Sequence, residues 1–278
     1  MDHSHIRVAA VDFLNTLPLI AEFLDGRGPH GYIIERHTPS ECASLLARGE
    51  VQLGLIPSIE FARIPDLRAL PGLCIAAERE VRSVIVLSRK PLREVSRVAV
   101  DPASRTSVAL LSVLLRRERP TLPELTPWHG TPEMALAEHE AVLLIGDAAL
   151  RVKRGGYFVV DLAAEWVRLT GRPFVFAFWA VRNDVCLPGP VEEFIAAQRR
   201  GLQTLDWRIT DAALRAGVGI EEARVYFRHH LHYEFGEVER GSLDHFYRLA
   251  TETGVIPSVP RLEFYRDQID PDVARAAG

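Results

Sequence analysis

Short apolar runs that alternate with amphipathic segments constrain this chain more than any other feature. Ile6–Phe13 reads as a buried strand, Leu17–Leu24 as a helix and Tyr32–Arg36 as a second strand. In "TPSECASLLARGE", Thr38 stands at the N-cap, Pro39 at the first helical position and Glu41 three residues after the cap. That is the signature of a capping box. "VQLGLIP" then supplies a third strand, and Ser58 stands where it gives way to the next segment. Strands separated by helix-length connections belong to parallel pairing, so the pattern predicts βαβ units.

The rhythm restarts after Pro91. "SRVAVDP", "ELTPWHG", "AVLLIGD" and "PFVFAFWAVRND" read as strands, and "SRTSVALLSVLLRRE" and "TPEMALAEH" as helices, the second capped by Thr131. From Val191 onward the chain reads as almost entirely helical, including "EEARVYFRHHLHYEF". The expectation is an α/β protein of two lobes with a ligand cleft between them. Residues 1–88 with 184–278 form the first lobe, which carries the helical tail, and residues 89–183 form the second.

Composition narrows the function. With 278 residues, 47% hydrophobic and 25% charged, the chain is of ordinary globular type. A formal net charge of −4 is the wrong sign for a nucleic-acid surface. No apolar run reaches the roughly 18 residues that a membrane span needs. "MDHSHIRVAAVDFL" has no signal-peptide pattern, and Cys42, Cys74 and Cys186 are odd in number and widely spaced, which predicts a cytoplasmic protein with reduced thiols. All but two of the 33 basic residues are arginine, and neither Lys90 nor Lys153 lies in a Schiff-base setting.

In open α/β sheets, ligands bind beyond the carboxyl ends of strands, where helix N-termini present free N–H groups and partial positive charge. This chain places small polar residues at several such junctions: Asn15-Thr16, Ser58, the run Ser104-Arg105-Thr106-Ser107, and Gly146-Asp147. One serine at such a point would be an ordinary N-cap. Three hydroxyls and an arginine within four residues exceed what a cap requires and predict an anion site. Ser83 opens a β segment and is unremarkable by itself. His229 and His232 would lie one turn apart on a helix, yet no carboxylate or cysteine completes a ligand set, and a solvated helix face explains them. G-x-G-x-x-G, P-loop, H-E-x-x-H and G-x-S-x-G motifs are absent from the sequence, so neither metal nor cofactor is expected.

Several segments, in order, resemble the chorismate dehydratases of menaquinone biosynthesis: "VDFLNTLPL", "LARGEVQLGLIPS", "SVIVLS", "SRTSVALL", "LLIGDAAL", "DLAAEWVRLTGRPFVFAFW" and "GVIPSVP". The resemblance implies a type II periplasmic-binding-protein-like fold and a carbon–oxygen lyase that converts chorismate to 3-[(1-carboxyvinyl)oxy]benzoate. It places Asn15 and Ser83 nearest the reacting centre, Thr16 beside them, and Ser104, Arg105, Thr106 and Ser107 on a carboxylate. The base would be the substrate's own enolpyruvyl carboxylate, with Asp147 as its rival. Two alternatives stand beside it. A cytoplasmic sensor of the same fold would bind a small carboxylate without turnover. The related dihydroxynaphthoate synthase carries a Cys-Pro-Asn-Asp run where this chain has Phe13-Leu14-Asn15-Thr16.

Overall fold

A computed structural model describes residues 5–267 of the chain. Strand β1 (Ile6–Val11) runs into a single 3₁₀ turn, Leu14–Thr16, and then helix α1 (Leu17–Leu24). Strand β2 (Tyr32–His37) leads to α2 (Pro39–Ala47), whose capping box is complete: Thr38 accepts from the Glu41 amide, and the Glu41 carboxylate accepts from the Thr38 N–H at 2.9 Å. Strand β3 (Leu53–Pro57) and a 3₁₀ turn, Ser58–Ala62, precede β4 (Leu67–Ala77). The second block contains β5 (Val84–Ser88), β6 (Arg97–Val100), α3 (Arg105–Glu118), β7 (Glu124–Pro127), α4 (Pro132–Glu138) and β8 (Ala141–Ile145). It continues through α5 (Gly146–Arg151), β9 (Phe158–Asp161) and α6 (Leu162–Thr170) to β10 (Phe174–Arg182). The tail is α7 (Val191–Gln203), α8 (Leu205–Ala216), α9 (Ile220–Val225), a π-helical stretch Tyr226–His230, β11 (His232–Phe235) and α10 (Glu237–Glu252).

Two sheets result. The first has six strands in the order β11-β4-β10-β3-β1-β2, and the second five in the order β7-β6-β8-β5-β9. Within the first, β1 pairs in parallel with β2 and β3, while β10 runs antiparallel between β3 and β4. Within the second, β6 is parallel to β7 and β8, and β5 is antiparallel to β8 and β9. The chain therefore crosses between sheets at residues 78–83 and again at 171–173.

The structure corrects three expectations. The crossings lie before β5 and before β10, not after them, because β5 bonds to β8 and β9 while β10 bonds to β3 and β4. Strand β4 has no counterpart in the sequence reading; within it Gly72 takes φ +82°, which lets the strand pass through an irregularity in its pairing with β10. The tail is not wholly helical, since His232–Phe235 adds a strand to the edge of the first sheet. That separates His232 from His229, and among the described residues no group of three His, Cys, Asp or Glu side chains is placed to hold a metal ion. The tail segment from residue 268, assigned above to the first lobe, lies outside the described residues.

The tail packs on the first sheet through α7 against α1 and α10 against β10, and α10 reaches α3 as well. Glu22 on α1 is buried, and Arg200 from α7 donates to it at 2.9 Å. Burying one carboxylate is tolerated because guanidinium groups from α7 and α8 surround it. Among the described residues no helix is long and apolar enough to cross a membrane.

Candidate functional site

Three of the polar strand-to-helix junctions, at Asn15, Ser104–Ser107 and Gly146, meet at one solvent-open cleft with about 570 Å³ of empty space. Asn15 reaches it from the first sheet, Ser104–Ser107 and Gly146 from the second, and Ser83 from the crossing between them. Apolar walls come from Phe13, Ile75, Val81 and Phe176. Among the described residues the lining contains one charged side chain, Arg105, and no carboxylate, histidine or lysine.

Two lining atoms are conspicuous. Asn15 Oδ1 and Ser104 Oγ are buried and have no hydrogen-bond partner. Leaving such atoms unpaired costs on the order of 1–3 kcal/mol each, which a ligand of matching polarity would recover. Ser104 occupies the N-cap position of α3 yet makes no side-chain cap (φ −86°, ψ 63°), so its hydroxyl is not committed to the helix. Behind it the first-turn N–H groups of a 14-residue helix carry the positive end of its dipole. The Arg105 guanidinium is 42% exposed and lies 4.0 Å from Glu60, across the boundary between the lobes. This corner is built for an anion.

Thr106 has a different task from its neighbours. Its Oγ1 accepts from the Ile59 N–H at 3.1 Å and lies 3.4 Å from Ser58 Oγ, which stitches α3 to the first lobe. Ser58 donates to the Val175 carbonyl at 2.8 Å, and its own carbonyl accepts from the Tyr247 hydroxyl at 2.6 Å. Ser58 is fully buried and does not line the cleft, so it joins the lobes and is not available for ligand contact.

The neutral side of the cleft is held from behind. Tyr233 donates to the Asn15 carbonyl at 2.7 Å, and Tyr226 donates to Ser83 Oγ at 2.7 Å. Ser83 is fixed through its backbone too, since its carbonyl accepts from the Gly146 N–H at 2.8 Å. Next to it, Arg82 holds φ +62°, an uncommon conformation for a residue with a side chain. The Asp161 carboxylate stabilises it by accepting from the Val81 and Arg82 amides, while also capping α6 through Ala163 and Ala164. Burial pushes the Asp161 pKa up, and those four N–H donors oppose the rise. Gly146 is required by contact as well as by φ +57°: a Cβ there would lie 2.8 Å from the Phe13 ring.

Thr16 and Asp147 stand apart from the cleft. The Thr16 hydroxyl lies 2.7 Å from the carbonyls of Val11 and Phe13, so its proton serves the turn. Asp147 accepts from the Leu14 N–H at 3.0 Å and lines a neighbouring pocket with Asp12, Arg36 and Arg215. Burial raises its pKa and the Leu14 hydrogen bond counteracts this. None of Thr16, Ser58 and Asp147, expected to contact the ligand, lines this cleft: the Thr16 and Ser58 hydroxyls are bonded to backbone carbonyls, and one Asp147 oxygen is bonded to the Leu14 amide.

Sequence reasoning missed Tyr226, Tyr233 and Asp161. The tyrosines were hidden in a run that reads as helix; the available signal was that a buried tyrosine hydroxyl needs a partner. Asp161 caps α6, and nothing local reveals that it also accepts from the amides of residues 81 and 82.

Comparison with known proteins places this arrangement. A chorismate dehydratase from Thermus thermophilus is 33% identical over 72% of this chain and 82% of its own length. A crystal structure of an Archaeoglobus fulgidus protein superposes with a TM-score of 0.73 at 18% identity, covering 92% of this chain and 99% of the other. A Candida albicans protein described as having the generic periplasmic-binding-protein fold gives a TM-score of 0.63 at 12% identity, with 97% and 99% covered. The two lobes and their cleft are thus of periplasmic-binding-protein type. A family model described as menaquinone biosynthesis matches residues 6–252, which include every described residue that lines the cleft, and the chain belongs to that menaquinone-biosynthesis family.

Proposed function

We propose that this chain is a carbon–oxygen lyase that removes one water from chorismate to give 3-[(1-carboxyvinyl)oxy]benzoate. The observation that carries the reading is the chemistry of the lining: an anion corner at Ser104, Arg105 and Ser107, neutral donors at Asn15 and Ser83, and no protein carboxylate or imidazole among the described lining residues. Chorismate is a dianion, which suits the anion corner. The proton at its ether-bearing ring carbon is vinylogous to the ring carboxylate, so the conjugated acid assists its loss. The C–H electron pair becomes the new ring double bond, the adjacent C–O bond breaks, and the abstracted proton and departing hydroxide together make the water. The ring becomes aromatic.

A lining without its own base supports the substrate's enolpyruvyl carboxylate as the group that takes the proton. Asn15, a neutral amide with almost no basicity, orients that carboxylate, and Ser83 hydrogen-bonds the departing hydroxyl. Walls on both lobes exclude water during the elimination. The three cysteines are unpaired, which supports work in a reducing cytoplasm.

Purified protein incubated with chorismate, without added metal or cofactor, is expected to form an aromatic product lighter by one water, read by liquid chromatography and mass spectrometry. Chorismate that binds, raises Tm and persists unchanged would overturn the lyase in favour of a sensor. Asp147→Asn separates the two bases: turnover is expected to stay within about threefold of wild type, since the amide oxygen of the asparagine still accepts from Leu14 and the cleft is untouched. Loss of turnover with Tm intact would make Asp147 the base. The same variant tests pH dependence. Burial disfavours the Asp147 carboxylate in the folded state, so ionisation costs stability at neutral pH and that cost is relieved as pH falls and the group takes up a proton. The Tm of Asp147→Asn should exceed that of wild type at pH about 7, with the gap narrowing toward pH about 4.

A further inference from the structure

Tyr226 does not line the cleft, yet its hydroxyl stands directly behind Ser83. It is 1% exposed and opens the π-helical stretch Tyr226–His230 directly after α9. A π turn widens the helix by one residue and re-aims the side chains on it, and such turns are frequent at functional sites. Here the result is a tail phenol delivered beneath the crossing between the lobes, 2.7 Å from Ser83 Oγ.

We propose that Tyr226 is a positioning residue that acts through Ser83, fixing the serine hydroxyl so that its own proton is presented to the cleft. A serine hydroxyl has one proton and two lone pairs. Donation from Tyr226 occupies one lone pair and turns the Ser83 proton away from the phenol, so that proton is free to be donated into the cleft. The Ser83 backbone cannot drift, because Gly146 holds its carbonyl and Asp161 holds the two preceding amides. Only the side-chain torsion is free, and Tyr226 sets it. Burial raises the Tyr226 pKa, which keeps the phenol protonated as a donor throughout the working pH range. Tyr233, from the same tail, holds the carbonyl of Asn15. The tail is therefore the floor on which both neutral groups of the cleft are set.

The inference rests on the dehydration reading and on Ser83 as donor to the departing hydroxyl. A double-mutant cycle of Tyr226→Phe, Ser83→Ala and the pair tests it, with kcat and KM for chorismate measured on proteins whose Tm lies above the assay temperature. Phenylalanine keeps the packing and removes only the hydroxyl. Tyr226→Phe is expected to lower kcat about tenfold while changing KM less than about twofold, and to cost less than about twofold once Ser83 is alanine. The same tenfold loss in both backgrounds would show that the Tyr226 hydroxyl acts through a neighbour other than Ser83, such as the Asn15 side chain, and would overturn the proposal, as would a Tyr226→Phe variant with wild-type kcat. If wild-type protein leaves chorismate unconverted, the dehydration reading fails separately. Chorismate binding by the same four proteins then decides the coupling: equal losses in the singles and the pair support it, and additive losses overturn it.

Discussion

Replacing Asn15 with alanine is expected to lower kcat/KM for chorismate by roughly 100- to 1000-fold, the range seen when one preorganised polar group is removed from a transition-state site. The size of the effect follows from how the turn is held. Leu14 donates to Asp147, Thr16 donates to the Val11 and Phe13 carbonyls, and the Asn15 carbonyl accepts from Tyr233. None of these contacts uses the Asn15 side chain, so alanine leaves the backbone in place and deletes only the amide. Substrate binding should change far less than turnover, because Ser104, Arg105 and the start of α3 are intact. Tm should hold, since the substitution removes a buried oxygen that has no partner. Steady-state kinetics with a Tm control checks this. A variant within about threefold of wild type would remove Asn15 from the reacting centre.

The second large effect is on stability. Gly201 lies on α7 where it crosses α1, and a Cβ there would meet the backbone of Pro18, with the carbonyl carbon at 2.9 Å, Cα at 3.0 Å and the oxygen nearer still. A flexible side chain could move aside, whereas backbone in a packed helix cannot. Gly201→Ala is therefore expected to destabilise the protein by about 3 kcal/mol. In thermal unfolding that is a fall of about 6–10 °C in Tm. Gly155, with nothing within 4 Å of its Cβ position and no positive φ, is the control, and Gly155→Ala should leave Tm within about 1 °C. Equal Tm values for the two variants would show that α1 and α7 separate easily. Because α1 begins immediately after the Asn15 turn, Gly201→Ala should also reduce turnover at temperatures where it remains folded.

The legible parts of the fold were those whose causes are local. The Thr38–Glu41 capping box, the α3 periodicity and the β3 run all formed as read, since each depends on residues a few positions apart. The illegible parts had distant causes. Strand β4 takes its place only from β10 and β11 on either side of it, and His232–Phe235 continues a helical pattern until β4 offers it an edge. Tyr226 reads as one more helical aromatic until Ser83, 143 residues earlier, supplies its partner.

The candidate site divides in the same way. The residue types at each junction, and hence the corner able to hold an anion, belong to the sequence alone, because hydroxyls, amides and helix N-termini are specified locally. Tertiary structure decided which of those groups remain free. Ser104 and Asn15 keep unpaired oxygens in the cleft, while Ser58 is bonded to Val175, 117 residues away, and Asp147 to Leu14, 133 residues away. A polar side chain offers a ligand only the donors and acceptors that the fold has not already used, and for Ser58 and Asp147 that use comes from segments that meet only after the chain has folded.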